Sequence, residues 1–381
     1  MKSINKIIVL LLLSVGTASV FLSCEKDNDS GGTPSVSYIR ITRPESSDSL
    51  LIGAGQGQLI AVVGRNLQDA VEVWFNDQQA VLTPTYITNT SLLVRVPSQI
   101  PIDVNNKLKI LFKNGFVLEH DFEVQISKPV INGMTSEFVK EGDVATIRGD
   151  FFYEPLTVTF TGGVEGEKVS VDDQELQIRV PAGAQPGPIT IKTNFGETKS
   201  DFWFRDNRNL LITNDPWSGW WGSDMVVSGS DPLAINGNFA RITKSIGAWA
   251  WTEWIGGRED ALTTSHNLPD DAVLNPDKYN LKFEINTLKP YNGNMIKIMI
   301  GQVNNPDPDW NAEPYYFRPP FDTKGEWQTV TIPFTEVIAN YKTNWGLRPQ
   351  GYGVKVWFHG PGAVDADVAF DNLRVVPKVN K

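Results

Sequence analysis

The chain has 381 residues, of which 20% are charged and 41% hydrophobic, and its formal net charge is −10. This length predicts about two to four globular domains, and an acidic chain without a basic block argues against a nucleic-acid-binding surface. The single cysteine excludes an intramolecular disulfide and a cysteine-based zinc site, whereas aromatic residues are abundant, with 12 Trp, 19 Phe and 9 Tyr against 3 His.

The N-terminus has the pattern of a secretory signal that ends in the only cysteine. Lys2 and Lys6 precede an apolar run, Ile7 to Leu22, which is short for a membrane span and typical of a signal-peptide core. The sequence Phe-Leu-Ser-Cys ending at Cys24 resembles the cleavage box of bacterial lipoproteins, with Phe21 where Leu is common. This resemblance implies a signal peptide over residues 1–23, lipidation of Cys24 and an acidic tether over residues 24–35. An ordinary secretory signal is the alternative, but it leaves the position of the cysteine unexplained.

An internal repeat follows the tether. Residues 59–77 and 144–162 align with one glycine of each copy in register, and the later segments SLLVRVP and ELQIRVP also correspond. Alternating hydrophobic residues between Gly, Asn and Pro breaks predict short antiparallel strands, so each copy is predicted to be a small β-sandwich. The pattern resembles IPT/TIG immunoglobulin-like domains, with limits at residues 36–126 and 127–206. Because each copy has a single Trp, both are interpreted as spacers.

The remaining residues, 207–381, contain ten of the 12 tryptophans. Apolar and polar residues alternate from Tyr279 to Thr287, which predicts a half-buried antiparallel strand in a region without helices. Further strands are predicted at Phe239–Thr243, Ala248–Trp254, Met295–Ile300, Trp327–Pro333, Val354–His359 and Asp367–Val376. With the segments GEWQTVTIPF and AFDNLRV, they resemble the jelly-roll sandwich of carbohydrate-binding modules. The predicted fold class is all-β: tandem immunoglobulin-like sandwiches followed by a larger jelly-roll β-sandwich.

The order of these parts resembles the B-type surface glycan-binding proteins of Bacteroidetes, which are cell-surface lipoproteins of the outer membrane. The resemblance implies that the terminal domain captures a polysaccharide without cleaving it. The implied ligand is a plant β-glucan, such as xyloglucan or mixed-linkage glucan, or another hemicellulose. It also implies neighbouring glycan importer proteins as partners.

A sugar ring presents an apolar face of C–H groups and a rim of hydroxyls, so its binding site combines flat indoles with short polar side chains. Alternation over residues 248–254 places Trp249, Trp251 and Glu253 on one face, and the carboxylate indicates that this face is the wet one. We therefore predict that Trp249 and Trp251 stack on sugar rings and that Glu253 binds hydroxyls.

Four further residues are predicted to line the site because they lie outward on a second strand or in turn-rich loops: Trp221, Trp310, Trp357 and His359. Alternation over residues 354–359 places Trp357 and His359 outward. Trp221 belongs to the three-indole cluster at 215–222, and Trp310 belongs to a proline-rich loop. Trp327 and Trp345 are interpreted as structural. The alternative for the whole set is a core packed with tryptophan.

Two other classes of function stay open. Glycoside hydrolysis needs two carboxylates that face a sugar, but no Asp or Glu pair stands out by spacing and nothing resembles a nucleophile elbow, so no catalysis is predicted. A surface adhesin would instead hold a protein through the immunoglobulin-like modules. Structural Ca²⁺ is common in jelly-roll binding modules, and Asp371 is its candidate ligand although the chain has no DxDxDG-type loop. No other cofactor is predicted.

Overall fold

The computed structural model describes residues 32–379 except residues 44, 46–47, 230, 302–313 and 342–344. The predicted lipidation site Cys24 and the candidate Trp310 therefore lie outside the described residues. The described chain is nearly all β, which confirms the predicted fold class, and it divides into two compact units between Ile126 and Ser127. Among the described residues, no helix has the length and apolar character needed to cross a membrane.

The described part of the first unit is a β-sandwich of nine short strands. They are β1 (Ser35–Ile41), β2 (Gly53–Gly55), β3 (Leu59–Arg65), β4 (Ala70–Phe75), β5 (Gln78–Ala80), β6 (Ser91–Arg95), β7 (Lys107–Phe112), β8 (Val117–Asp121) and β9 (Glu123–Gln125). One sheet has the order β1-β3-β6 and the other β5-β4-β7-β8, while β2 and β9 pair in parallel. Alternate residues such as Ile60, Val73 and Ile110 are fully buried between the sheets.

The second unit begins with a module of the same kind. Its strands are β10 (Val130–Met134), β11 (Val144–Asp150), β12 (Leu156–Phe160), β13 (Val164–Glu165), β14 (Glu167–Val171), β15 (Glu175–Arg179), β16 (Thr190–Thr193) and β17 (Gly196–Lys199). They form the sheets β10-β11-β15-β14 and β13-β12-β16-β17.

The two positions that align in the sequence repeat require glycine for the same structural reason. A Cβ on Gly64 would lie 1.9 Å from the Ser35 carbonyl oxygen, and a Cβ on Gly149 would lie 1.9 Å from the Val130 carbonyl oxygen. In both modules the first strand approaches this point so closely, next to a register shift, that no side chain fits.

The rest of the second unit is a larger sandwich. Its strands are β18 (Leu210–Ile212), β19 (Val226–Val227), β20 (Phe239–Ile246), β21 (Thr252–Gly257), β22 (Tyr279–Thr287), β23 (Ile296–Gly301), β24 (Tyr315–Phe317), β25 (Gln328–Pro333), β26 (Gly353–Phe358) and β27 (Val364–Pro377). One sheet has the order β19-β20-β27-β22-β25 with β18 beside β27, and the other has the order β21-β26-β23-β24. Trp254, Phe283 and Phe370 lie between the two sheets, and none is accessible to solvent.

The expectation that this region has no helices is wrong in detail. Two five-residue helices occur in the connections, α1 (Asp270–Leu274) and α2 (Phe334–Ile338). Each is too short to show a helical period in the sequence, and burial holds α2 in place because Phe334 and Val337 are fully enclosed.

Buried charges join the second immunoglobulin-like module to the larger sandwich. Glu137, in the connection after β10, accepts a hydrogen bond from Arg374 Nη2 at 2.8 Å and pairs with Lys282. Arg374 also donates to Glu284 Oε2 at 2.8 Å, and all four side chains are at most 7% exposed. Burial disfavours the Arg374 charge, but the two carboxylates outweigh it and raise the pKa of the guanidinium. Two acids and two bases thus neutralise each other inside this unit.

Candidate functional site

The outer surface of the sheet β21-β26-β23-β24 differs from its apolar inner surface. The side chains that point away from the core are Glu253, Lys297, Met299, Tyr316, Lys355 and Trp357. We call this surface, together with Trp220, Trp221, Trp249, Trp251 and His359 from the adjoining segments, the aromatic face. Side chains with flat rings and side chains with charges therefore share one side of the sandwich.

Trp249 and Trp251 are open to solvent, with 58% and 46% of their surface exposed. The predicted strand at residues 248–254 begins only at Thr252, so Trp249 lies in a turn. Its φ of 57° is in the left-handed region, and its N–H donates to the Gly360 carbonyl at 2.7 Å. Trp249 therefore points outward because of this turn, whereas Trp251 follows the predicted alternation.

His359 stands between these two indoles. Its ring centroid is 5.4 Å from that of Trp249 and 5.2 Å from that of Trp251. Lys297 Nζ lies 2.7 Å from His359 Nδ1, and partial burial together with the Lys297 charge lowers the pKa of the imidazole. The neutral ring accepts the lysine hydrogen bond at Nδ1, so Nε2 carries a proton and is a donor beside the indoles.

Trp357 is 1% exposed, so the prediction that it is an open stacking residue is wrong. Alternation gave the direction of this side chain correctly, since it points to the same side as Lys355. However, Trp251 covers it with a centroid separation of 5.6 Å, and Met299 and Tyr341 pack around it. The Trp357 ring supports the Trp251 platform from below.

Lys355 occupies the centre of the aromatic face although its side chain is only 1% exposed. Its Nζ lies 4.7, 5.2 and 5.8 Å from the ring centroids of Trp251, Trp357 and Trp221, respectively. It also forms an ion pair of 2.6 Å with Glu253 Oε1, the predicted hydroxyl-binding residue. Loss of hydration lowers the pKa of this ammonium, which the carboxylate only partly offsets.

In the cluster at residues 215–222, the exposed indole is that of Trp220 rather than the predicted Trp221. Trp220 is 53% exposed, and the Arg258 guanidinium lies 3.9 Å from its ring centroid. Trp221 is half-buried and lies over Gly256, where a Cβ would come within 2.9 Å of its ring. Sequence reasoning missed Trp220 because irregular backbone around Gly222 follows neither a strand nor a helix period.

Trp327 and Trp345 have the packing expected of structural residues. Trp327 is 9% exposed and its Nε1 donates to the Leu233 carbonyl at 2.9 Å. Trp345 is half-buried and donates to the Val273 carbonyl at 3.0 Å.

The calcium prediction concerns Asp371, which is buried in the core. Its carboxylate accepts hydrogen bonds from Asn214 Nδ2 at 2.7 Å and from the Asn372 N–H at 2.9 Å, and burial raises its pKa to about 8. Among the described residues, no group of three or more His, Cys, Asp or Glu side chains is arranged to hold a metal ion. Calcium binding stays a prediction.

Residues 204–377 match the family model of the surface glycan-binding protein B xyloglucan binding domain. A curated IPT/TIG domain-containing protein from Bacteroides ovatus is 30% identical over 168 residues, which cover 42% of this chain. The match spans about a third of that relative, 34% of its length.

Solved structures of B-type surface glycan-binding proteins have the same fold. The protein PbSGBP-B from Prevotella bryantii has a TM-score of 0.66 at 23% identity, covering 91% of this chain and 99% of its own. The SGBP-B from a complex xyloglucan utilisation locus in Bacteroides uniformis has a TM-score of 0.51 at 19% identity, covering 91% and 100%. Together with the domain match, these findings confirm the resemblance recognised in the sequence.

Proposed function

We propose that this chain, whose C-terminal domain matches that of the B-type surface glycan-binding proteins, captures a polysaccharide on its aromatic face. The proposed ligand is a β-glucan such as xyloglucan or mixed-linkage glucan. The observation that carries this proposal is the set of open indoles, Trp220, Trp249 and Trp251, on one side of the terminal sandwich. Flat rings cover the apolar faces of pyranoses, while Glu253 and His359 are in position to bind hydroxyls.

The expected affinity is weak to moderate. Covering one sugar face with an indole contributes about 1 to 3 kcal/mol, and ordering the oligosaccharide consumes part of that gain. Weak contacts suit the capture of a polymer, because neighbouring anchored copies bind the same chain.

We propose that capture takes place without cleavage. A glycosidase needs two carboxylates on either side of the scissile bond. The four strands of the aromatic face carry one acidic residue, Glu253, and its carboxylate is paired with Lys355. Incubation of the purified protein with each glucan should therefore release no new reducing ends, and their appearance would contradict this part of the proposal.

The site is tested by affinity electrophoresis in gels that contain xyloglucan, mixed-linkage glucan, laminarin, mannan or xylan. We expect retardation by at least one β-glucan and its loss in Trp249→Ala, Trp251→Ala and Trp220→Ala. The control is Tyr86→Ala, which removes an aromatic ring that is 48% exposed in the first unit. Retardation that persists in all three tryptophan variants would place the ligand elsewhere.

We also propose that Cys24 anchors the protein in the outer membrane, where it delivers glycan to an importer. Acyl chains insert with about 0.8 kcal/mol per buried methylene, so several chains make a stable anchor. Cells that express the wild-type protein should incorporate labelled palmitate into it, and protease added to intact cells should digest it. Cys24→Ser should abolish the labelling, and a variant that keeps its label would contradict lipidation at this residue.

A further inference from the structure

One end of the aromatic face holds two cationic side chains on the same ring. Lys297 Nζ lies 5.1 Å and the Arg318 guanidinium carbon 5.0 Å from the ring centroid of Tyr316, the middle residue of β24. Lys297 is 9% exposed and contacts His359, whereas Arg318 is exposed and donates to Met295 Sδ at 2.9 Å. Within the described parts of the chain, neither cation forms an ion pair. We call these four side chains, Lys297, Tyr316, Arg318 and His359, the cationic corner.

The nearest strand residue with a negative charge does not compensate this corner. Glu253 is opposite Trp357, and Trp357 is opposite Lys297, so the carboxylate is two strands away, roughly 10 Å. Its charge is already paired with Lys355. The whole chain is acidic, with a net charge of −10, so an unpaired pair of cations is a local exception.

The contacts within the corner account for where its side chains lie, but they do not neutralise its positive charge. Tyr316 attracts a cation through its ring, and His359 Nδ1 accepts a hydrogen bond from the Lys297 ammonium. Loss of hydration lowers the pKa of Lys297, and no carboxylate among the described residues opposes that shift. A partly desolvated ammonium next to a guanidinium is instead the arrangement that binds an anionic group by charge-assisted hydrogen bonds.

We propose that the cationic corner binds the carboxylate of a uronic-acid unit, so that a β-glycan that carries such a unit binds more tightly than the same glycan without it. His359 connects the corner to Trp249 and Trp251, so a carboxylate on Lys297 and Arg318 belongs to a glycan that stacks on those indoles. This inference rests on the proposed function of the same face and adds the charge of its ligand.

The test compares two oligosaccharides that differ in one group. The neutral probe is a galactosylated xyloglucan oligosaccharide, and the acidic probe is the same molecule with the primary alcohol of its galactose branch oxidised to a carboxylate. Isothermal titration calorimetry at low salt should give about five- to tenfold tighter binding of the acidic probe, and about 0.5 M NaCl should reduce that preference.

Arg318→Gln should lower the preference for the acidic probe about threefold while leaving binding of the neutral probe within about twofold, and Lys297→Met should lower the same preference. The matched control is Lys244→Met, which removes an exposed lysine from β20 in the opposite sheet and should keep the preference. Because Arg318 is exposed, Arg318→Gln reports on the corner even if Lys297→Met does not fold.

Each outcome separates this inference from the proposed function. Equal affinity for the two probes, or a preference that both variants retain, would overturn the cationic corner and leave glycan capture standing. If neither probe bound the wild-type protein, glycan capture itself would fail, and this inference with it. Free glucuronate should compete with the acidic probe better than inorganic sulfate does, and equal competition would overturn the assignment to a sugar acid.

Discussion

Lys355 is the single residue on which three indoles of the aromatic face depend. Its buried ammonium contacts the rings of Trp221, Trp251 and Trp357, and it also neutralises Glu253. Cation–π contacts of desolvated groups contribute about 2 kcal/mol, so this lysine fixes the orientation of the Trp251 platform before ligand arrives.

Lys355→Met, which keeps the length of the side chain and removes its charge, should weaken glycan binding about threefold to tenfold. The fold should persist because Glu253 is 45% exposed and can be hydrated without its partner. Calorimetric affinity and the tryptophan emission maximum are the measurements. Lys289→Met is the control, since it removes a surface lysine that pairs with Asp365 and is not part of the aromatic face. Unchanged affinity would show that the indole rings keep their orientation without the lysine charge.

Asp371 makes stability depend on pH. Burial raises its pKa to about 8 in the folded protein, above its ordinary value of 3.8, so the folded state binds the proton more tightly than the unfolded state. The free energy of unfolding should therefore fall as the pH rises from about 4 to about 8, by up to about 1.4 kcal/mol per pH unit from this group. Asp371→Asn, a neutral isostere, should lack this contribution. Urea denaturation of both proteins at about pH 4.5 and 7.5 tests it, and parallel pH dependences would contradict a protonated Asp371.

At the scale of elements, the connection after β10 and the strands β22 and β27 depend on one buried charge network. Removing one partner from such a network leaves an uncompensated buried charge, which costs about 3 to 5 kcal/mol. Glu137→Gln removes the carboxylate that faces both Arg374 and Lys282, so it should lower the unfolding temperature of the second unit by several degrees. Glu141→Gln, an exposed acid in the same connection, should have little effect. Calorimetry that gave equal unfolding temperatures for the two variants would contradict the role of Glu137.

Local alternation predicted some elements of the site and could not predict others. It gave strand β22 and the outward positions of Trp251 and Glu253, since a regular strand has a period of two. The prediction that β22 is half-buried is wrong, because its polar residues Lys282, Glu284 and Asn286 are buried as well. Alternation predicted the exposure of Trp249 correctly although that residue lies in a turn and not in the expected strand. It missed Trp220, which lies in a bend, and it failed for Trp357, which a neighbouring indole covers. Glu137 and Arg374 are 237 residues apart, so no local pattern indicates that they meet. Periodicity reports the direction of a side chain but not what lies on top of it.

At the scale of the molecule, the first and second units have separate cores and should have separable roles. The first unit presents no cluster of open indoles among its described residues, whereas the second carries the whole aromatic face. A protein that comprises residues 127–381 should therefore bind glucan oligosaccharides with the same affinity as one that comprises residues 32–381. Calorimetry with a single oligosaccharide decides this. An affinity lower by tenfold or more would assign part of the site to the first unit. Binding retained after deletion of residues 207–381 would assign the site to the immunoglobulin-like modules.

Trp249 is held at a φ of 57°, a conformation that costs a residue with a side chain about 1 kcal/mol and costs glycine almost nothing. Folding alone would favour glycine at this turn, so the tryptophan lowers the unfolding temperature of the domain. Trp249→Gly and Trp249→Ala should abolish its stacking contact equally, yet the glycine protein should unfold at the higher temperature. Such a divergence would mark Trp249 as a position where ligand recognition and structural durability make opposing demands on the same backbone torsion.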